Sequence, residues 1–205
     1  AEKTAFIDEQ GAYTYGELAR RVDLAAGALR ELGLDAEQRV VLGLLDTIDF
    51  PTAFLGAIKA GIVPIPVNTL FQPLDYAFIL ADSRAKAAIV SAELLPAYEE
   101  AARLASWTGR LIVSDPRGTL ADSRYATLAA LMERATPVAE AAPTRPDDVC
   151  FWLYSSGSTG KPKGTLHVQT SMIRTAELFA QDVLGIREHD VVYSAAKLFF
   201  AYGLG

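Results

Sequence analysis

Cysteine is almost absent from this chain. Cys150 stands alone among 205 residues, so no intrachain disulfide can form. A lone thiol accords with a reducing compartment. Basic charge is scarce as well: 19 Lys and Arg face 25 Asp and Glu, a net charge of −6. Gripping a nucleic-acid backbone takes clustered Lys and Arg, so a nucleic-acid partner is not expected. Long apolar runs are missing. None approaches the ~18 residues of a membrane span, and the opening Ala1-Glu2-Lys3-Thr4 is not a signal peptide. The expectation is a soluble, cytoplasmic protein with no membrane partner. Histidine is rare too. His167 and His189 have no metal-ligand spacing, and His189, between Glu188 and Asp190, reads as a surface turn residue.

What is present is apolar. About half the residues (51%) are hydrophobic, with nine Phe, eight Tyr and two Trp, enough to build a core and exclude global disorder. The length fits one large domain or two small lobes.

Helical and strand patterns alternate along the chain. Thr14-Tyr15-Gly16-Glu17 has the form of a capping box, with Leu18, Val22, Ala25, Leu29 and Leu32 following at helical spacing and Gly33 as the stop. Arg39 to Leu45 reads as a buried strand. Asp49 is expected to cap a second helix that has Pro51 in its first turn and runs to Gly61. Ile62-Val63-Pro64-Ile65-Pro66-Val67 carries two prolines two apart and must be extended. Leu74–Leu80, Ala87–Val90, Glu93–Leu104 and Leu111–Val113 continue the alternation, the pattern of an α/β sheet with crossover helices. Residues 136–148, with Pro137, Pro143 and Pro146, read as a linker between a first lobe (1–135) and the start of a second (149–205). In that second part Val149–Tyr154 and Thr165–Val168 predict strands, Ser171 to Leu184 a helix, and Val191 to Ser194 a further strand.

Between the first two strands of this second part lies Ser155-Ser156-Gly157-Ser158-Thr159-Gly160-Lys161-Pro162-Lys163-Gly164. Three glycines, four hydroxyls and two lysines share ten positions. Each type suits a polyphosphate: glycine lets backbone N–H groups approach an anion, Ser and Thr add donors or metal ligands, and lysine brings mobile positive charge. The Walker pattern G-x-x-x-x-G-K-[ST] does not fit. Gly157 is at the wrong distance, and Pro162 occupies the position of the magnesium-binding hydroxyl. Pro162 also keeps Lys161 out of the helical region, so the loop joins strand to strand. A plain Gly/Ser hairpin is the competing reading, but it requires neither paired lysines around a proline nor such apolar flanks.

At these residues the chain resembles the adenylate-forming superfamily, which includes acyl- and aryl-CoA ligases, peptide-synthetase adenylation domains and luciferases. Tyr154 to Gly164 matches its signature loop. Tyr13-Thr14-Tyr15-Gly16-Glu17-Leu18 and Ile58-Lys59-Ala60-Gly61-Ile62-Val63-Pro64-Ile65-Pro66 match two further features in the expected order. Phe151 to Gly160 and Ser194 to Gly205 are similar to the benzoate–CoA ligases and their hydroxy- and aminobenzoate relatives.

The resemblance implies layered α/β lobes of the large N-terminal domain of these enzymes. It also implies a reaction among a small carboxylic acid, ATP with magnesium (Mg2+), and coenzyme A, and it allows a homodimer. Thr159 and Lys163 are the implied catalytic residues. Ser155, Ser156, Gly157, Ser158, Thr159, Gly160, Lys161 and Lys163 would form the nucleotide site, with Lys161 facing solvent. Ala201, Tyr202 and Gly203 would line the acid pocket, an aromatic wall beside small residues that suits a flat ring. Packing in the core is the competing role for Phe199, Phe200 and Tyr202, and Lys197 reads equally as a steering charge or a structural lysine. No metal ligand is assigned. The family's magnesium and adenine motif, ribose aspartate, hinge and C-terminal domain follow this stretch, so an N-terminal fragment without adenylating activity of its own is expected. A ligase for aliphatic acids, an amino-acid adenylation domain and a non-catalytic nucleotide-binding fragment remain as alternatives.

Overall fold

Five short strands, all parallel, organise the chain. The computed structural model describes residues 2–120, 124–155 and 161–204. A small antiparallel pair opens it, β1 (Thr4–Asp8) and β2 (Gly11–Thr14). Helix α1 (Tyr15–Glu31) follows with the expected capping box: Thr14 Oγ1 accepts from the Glu17 N–H, and the Thr14 N–H donates to Glu17 Oε2 at 2.7 Å. Then come β3 (Arg39–Gly43), α2 (Asp49–Ala60), β4 (Val63–Pro66), α3 (Pro73–Ser83), β5 (Ala87–Ser91), α4 (Leu95–Leu104), β6 (Arg110–Ser114), β7 (Ala126–Thr127) and α5 (Leu128–Arg134). The strands lie in the order β4-β3-β5-β6-β7. The chain thus winds outward from β3 in one direction, then returns past it, and the order reverses between β3 and β5.

Residue alternation in the strands explains why both faces are covered. Val40 and Leu42 of β3, Ala87 and Ile89 of β5, and Ile112 of β6 point to a core shared with α1, α2 and α5. Val41, Ala88, Val90 and Val113 point the other way, into a core shared with α3 and α4. Strands buried on both sides read as continuous apolar runs, as here. Gly43, at the end of β3, is required by the second core: a Cβ there would sit 2.4 Å from Tyr98 Oη.

The two prolines of β4 occupy the outer edge. The N–H groups of Val63 and Val67 point inward, to Gln38 O at 2.8 Å and Leu42 O at 3.1 Å. With a two-residue repeat, Pro64 and Pro66 face outward, where no donor is needed. Beyond that edge packs β8 (Val149–Ser155), paired antiparallel with β9 (Lys163–Val168). Its alternation continues the sheet's two faces. Cys150, Phe151 and Leu153 join the α1/α2/α5 core, and Trp152 and Tyr154 pack on the α3/α4 core. Residues 136–148, without helix or strand, lie across α1 and α2: the Val138 N–H donates to Asp23 O at 3.0 Å and the Ala142 N–H to Lys59 O at 2.8 Å.

Two expectations are corrected. Asp49 does not cap α2. The N-cap is Ile48, without a side-chain cap bond, and its N–H is taken by Asp8 Oδ2 at 2.8 Å. Asp49 is instead buried, holding Arg21 at 2.5 Å and accepting from Ser114 Oγ at 2.7 Å. A carboxylate in the first helical turn still meets the positive end of the helix dipole. The second correction is Val191 to Ser194, which forms no strand. Val191 and Tyr193 are 84% and 88% exposed, and no described strand offers them a ladder partner. The helix expected from Ser171 to Leu184 is α6 (Thr170–Thr175), continuing as a π-helical stretch, Ala176–Gln181. A last turn of helix, α7, spans Ala201–Leu204.

Candidate nucleotide and acid site

The β8–β9 ladder brings the ends of the predicted phosphate loop together. Tyr154 faces Gly164 and Ser155 faces Lys163 in register. Both Ser155 and Lys163 are exposed at the mouth of this hairpin. Ser156, Gly157, Ser158, Thr159 and Gly160 lie outside the described residues. Lys161 is exposed, as expected, with its Nζ 5.7 Å from the centroid of the Phe78 ring. Below the mouth, Tyr154 Oη donates to Asp82 Oδ2 at 2.6 Å. Burial, reinforced by that carboxylate, pushes the Tyr154 hydroxyl well above its usual range, so it stays a donor.

His167, across the ladder from Phe151, is a packing residue. Its ring stacks on Phe151 at 4.5 Å and 2°, and burial lowers its pKa. His189 lies on the surface, 3.6 Å from Asp190, as the sequence suggested. Among the described residues no group of three or more His, Cys, Asp and Glu is arranged to hold a metal ion.

The predicted acid-binding stretch is anchored at its start. Lys197 Nζ lies 3.2 Å from Asp46 Oδ2, and the Leu198 N–H donates to Asp46 Oδ1 at 3.1 Å. Phe199 is buried in the α1/α2/α5 core, with the Phe200 ring at 4.4 Å. Of the two phenylalanines only Phe199 fills the core, and Phe200 stays largely exposed. The chain then turns into α7, which leaves Ala201 exposed and Tyr202 84% exposed. Gly203 closes the turn tightly: a Cβ would come within 2.3 Å of Lys197 O. Among the described residues no hydrogen bond or ring contact joins Tyr202 to the hairpin.

Asp46 escaped the sequence reading because an aspartate after a strand looks like any solvated turn residue. It sits on a cleft of about 160 Å³ at the C-terminal ends of β3, β5 and β6, also lined by Ser91, Asp115, Arg117 and Lys197. This is where the strand order reverses, the place where open parallel sheets form a crevice. Here the chain itself enters it, through Lys197.

Comparison with known proteins places this geometry. The family model described as AMP-binding enzyme matches residues 1–205. A benzoate–CoA ligase of Thauera aromatica is 56% identical over 204 residues, which is 99% of this chain and 38% of the relative. The crystal structure of a benzoate CoA ligase from Burkholderia xenovorans LB400 superposes with a TM-score of 0.89 at 48% identity, over 99% of this chain and 39% of that one. An anthranilate CoA ligase solved with anthranoyl-AMP gives a TM-score of 0.94 at 33% identity, over 100% of this chain and 39% of the other. The chain therefore spans well under half the length of these relatives. Its mixed α/β architecture is that of the N-terminal domain of adenylate-forming enzymes. On the whole-length family match and the likeness of sequence and fold together, this chain belongs to the AMP-binding enzyme family.

Proposed function

We propose that the protein carrying this chain is an ATP-dependent acid–CoA ligase acting on an aromatic carboxylate of the benzoate type. The observation that carries the reading is the hairpin mouth, where the register sets Ser155 opposite Lys163 at the two ends of a Gly/Ser/Thr-rich span. Such a mouth offers hydroxyls, backbone N–H groups and an ammonium to one anion. The likeness to benzoate–CoA ligases supports the choice of acid.

In the first step a carboxylate oxygen of the acid attacks the α-phosphorus of ATP. The bond to the β-phosphate oxygen breaks, giving acyl-adenylate and pyrophosphate. In the second, the thiol of coenzyme A attacks the acyl carbon, loses its proton and expels AMP, leaving the thioester. In-line displacement at phosphorus requires the leaving phosphates to be held and their growing charge met. We assign that task to Thr159 and Lys163, with Ser155, Ser156 and Ser158 as further donors and Gly157 and Gly160 permitting close approach. Lys161 stands at the rim. Ala201, Tyr202 and Gly203 would line the ring pocket. Magnesium enters this proposal as the counter-ion of the triphosphate. The division into lobes at 1–135 and 149–205, joined by 136–148, is part of the same proposal.

The test is acid-dependent exchange of pyrophosphate into ATP by the protein carrying this chain, with benzoate and a medium-chain fatty acid in parallel. Benzoate is expected to drive exchange and the fatty acid not. A preference for the fatty acid would replace aromatic by aliphatic activation, and ATP binding without exchange would leave a nucleotide-binding module.

A further inference from the structure

Both stems of the loop reach the same helix. Phe78 and Asp82 of α3 are four residues apart and so share one helical face. Asp82 Oδ2 accepts the Tyr154 hydroxyl at 2.6 Å, immediately before the loop. The Phe78 ring takes the Lys161 ammonium at 5.7 Å, at the loop's far end.

The surroundings fit this arrangement. Tyr154 faces Gly164 across the ladder, and a Cβ on Gly164 would come within 3.3 Å of Tyr154 Cζ. Glycine there gives the tyrosine ring room to lie against its neighbour strand and reach α3. The helix is a firm base. Gln72 and Asp75 form a reciprocal cap with Pro73 in the first turn, and Tyr76, Ile79 and Leu80 are buried. Tyr76 Oη is tied to Asn68 O at 2.9 Å and its ring stacks on Tyr98 at 4.3 Å.

We propose that Phe78 and Asp82 are positioning residues for nucleotide binding, holding the two stems of the phosphate-binding loop on α3 through Lys161 and Tyr154. The proposal rests on reading 155–164 as the phosphate grip. Its physical basis is entropic. Holding Tyr154 and Lys161 on one helix keeps the nearby Ser155 and Lys163, which face each other across the ladder, in place beforehand, so less freedom is lost when the two meet an anion. None of Phe78, Asp82, Tyr154 and Lys161 needs to touch the reacting atoms for this to hold.

The experiment measures the ATP dissociation constant and the separate KM values for ATP and acid in the protein carrying this chain. Tyr154→Phe, which keeps the ring, and Asp82→Ala are each expected to weaken ATP binding about fivefold, the net worth of one ordinary hydrogen bond at a solvent-exposed site. The double variant is expected to be no weaker than the worse single one. Asp82→Asn retains an acceptor and is expected to recover most of the loss, and Phe78→Ala to cost about twofold. The KM for the acid is expected to stay level throughout. A fall in Tm with unchanged ATP constants would overturn the proposal, because the contacts would then be a fold staple only. Lys163→Ala separates the two readings. If it weakens ATP use while Tyr154→Phe does not, only the positioning role fails; if neither does, the phosphate grip fails with it.

Discussion

The parallel sheet and the stretch from residue 163 to residue 204 use their apolar residues in opposite ways. In the sheet nearly every apolar side chain of β3, β4 and β5 is buried, on one face or the other. In the later stretch Leu166, Ile173, Leu178, Val183, Val191, Val192, Tyr193 and Tyr202 all stand largely exposed. The difference separates two jobs. The sheet holds its part of the fold together by burial, whereas Lys163 and Tyr202, both proposed for the site, are exposed. Stability and activity should then respond to different substitutions.

The sharpest way to break that separation is Lys163→Ala. Lys163 is exposed and makes no ion pair among the described residues, so Tm should hold. The rate of acyl-adenylate formation should fall about 100-fold, the usual scale for losing one group that meets transition-state charge. Pyrophosphate exchange measured beside a thermal melt decides it. A large drop in Tm with normal exchange per folded molecule would put the residue in the scaffold instead.

Phe54→Ala is the converse. Phe54 is buried, stacks on Phe50 at 6.1 Å and meets the Phe151 ring edge-on at 5.4 Å. Removing it should cost about 3–5 kcal/mol of stability by denaturant unfolding. Because Phe151 is on β8, this one side chain ties the sheet region to the hairpin. Activity per folded molecule should change far less than the stability does.

Asp46→Ala tests the point where the two regions meet. Asp46 holds the Lys197 ammonium and the Leu198 N–H at the head of the stretch that leads to Ala201, Tyr202 and Gly203. Its loss should raise the KM for the acid about fivefold and leave that for ATP level. Asp46→Asn, which still accepts from Leu198, should fall between the two.

Much of the sheet was legible in the sequence because its signals are local. The Thr14–Glu17 capping box, the stop of α2 at Gly61 and the extended prolines of β4 each act over a few residues, and all appear as expected. What was illegible depends on partners far along the chain. Asp49 looks like a cap until Arg21 and Ser114 arrive from 28 and 65 residues away. Val191 to Ser194 has strand composition, but a strand also needs a neighbour, and composition cannot report that. The strand–loop–strand order was legible from the apolar flanks and Pro162, and the structure pairs those strands antiparallel. The anchorage of the hairpin on Phe78 and Asp82 was not legible, since neither residue carries a motif.

His167 gives the finest test of the boundary, through pH. Its ring lies flat on Phe151, on the face of the hairpin that joins the core, and burial holds its pKa below the ordinary 6.5. The folded state therefore binds this proton less readily than the unfolded chain. As pH falls through 6.5 the unfolded state takes the proton first, so this residue's contribution to stability is lost toward acid and recovered above it. His167→Gln should flatten that part of the stability profile between neutral and mildly acid pH and leave the profile at higher pH parallel to that of the unsubstituted protein. An unchanged acid slope would mean that His167 is as well solvated in the folded state as in the unfolded one. The hairpin's inner face would then belong with the exposed region rather than with the core.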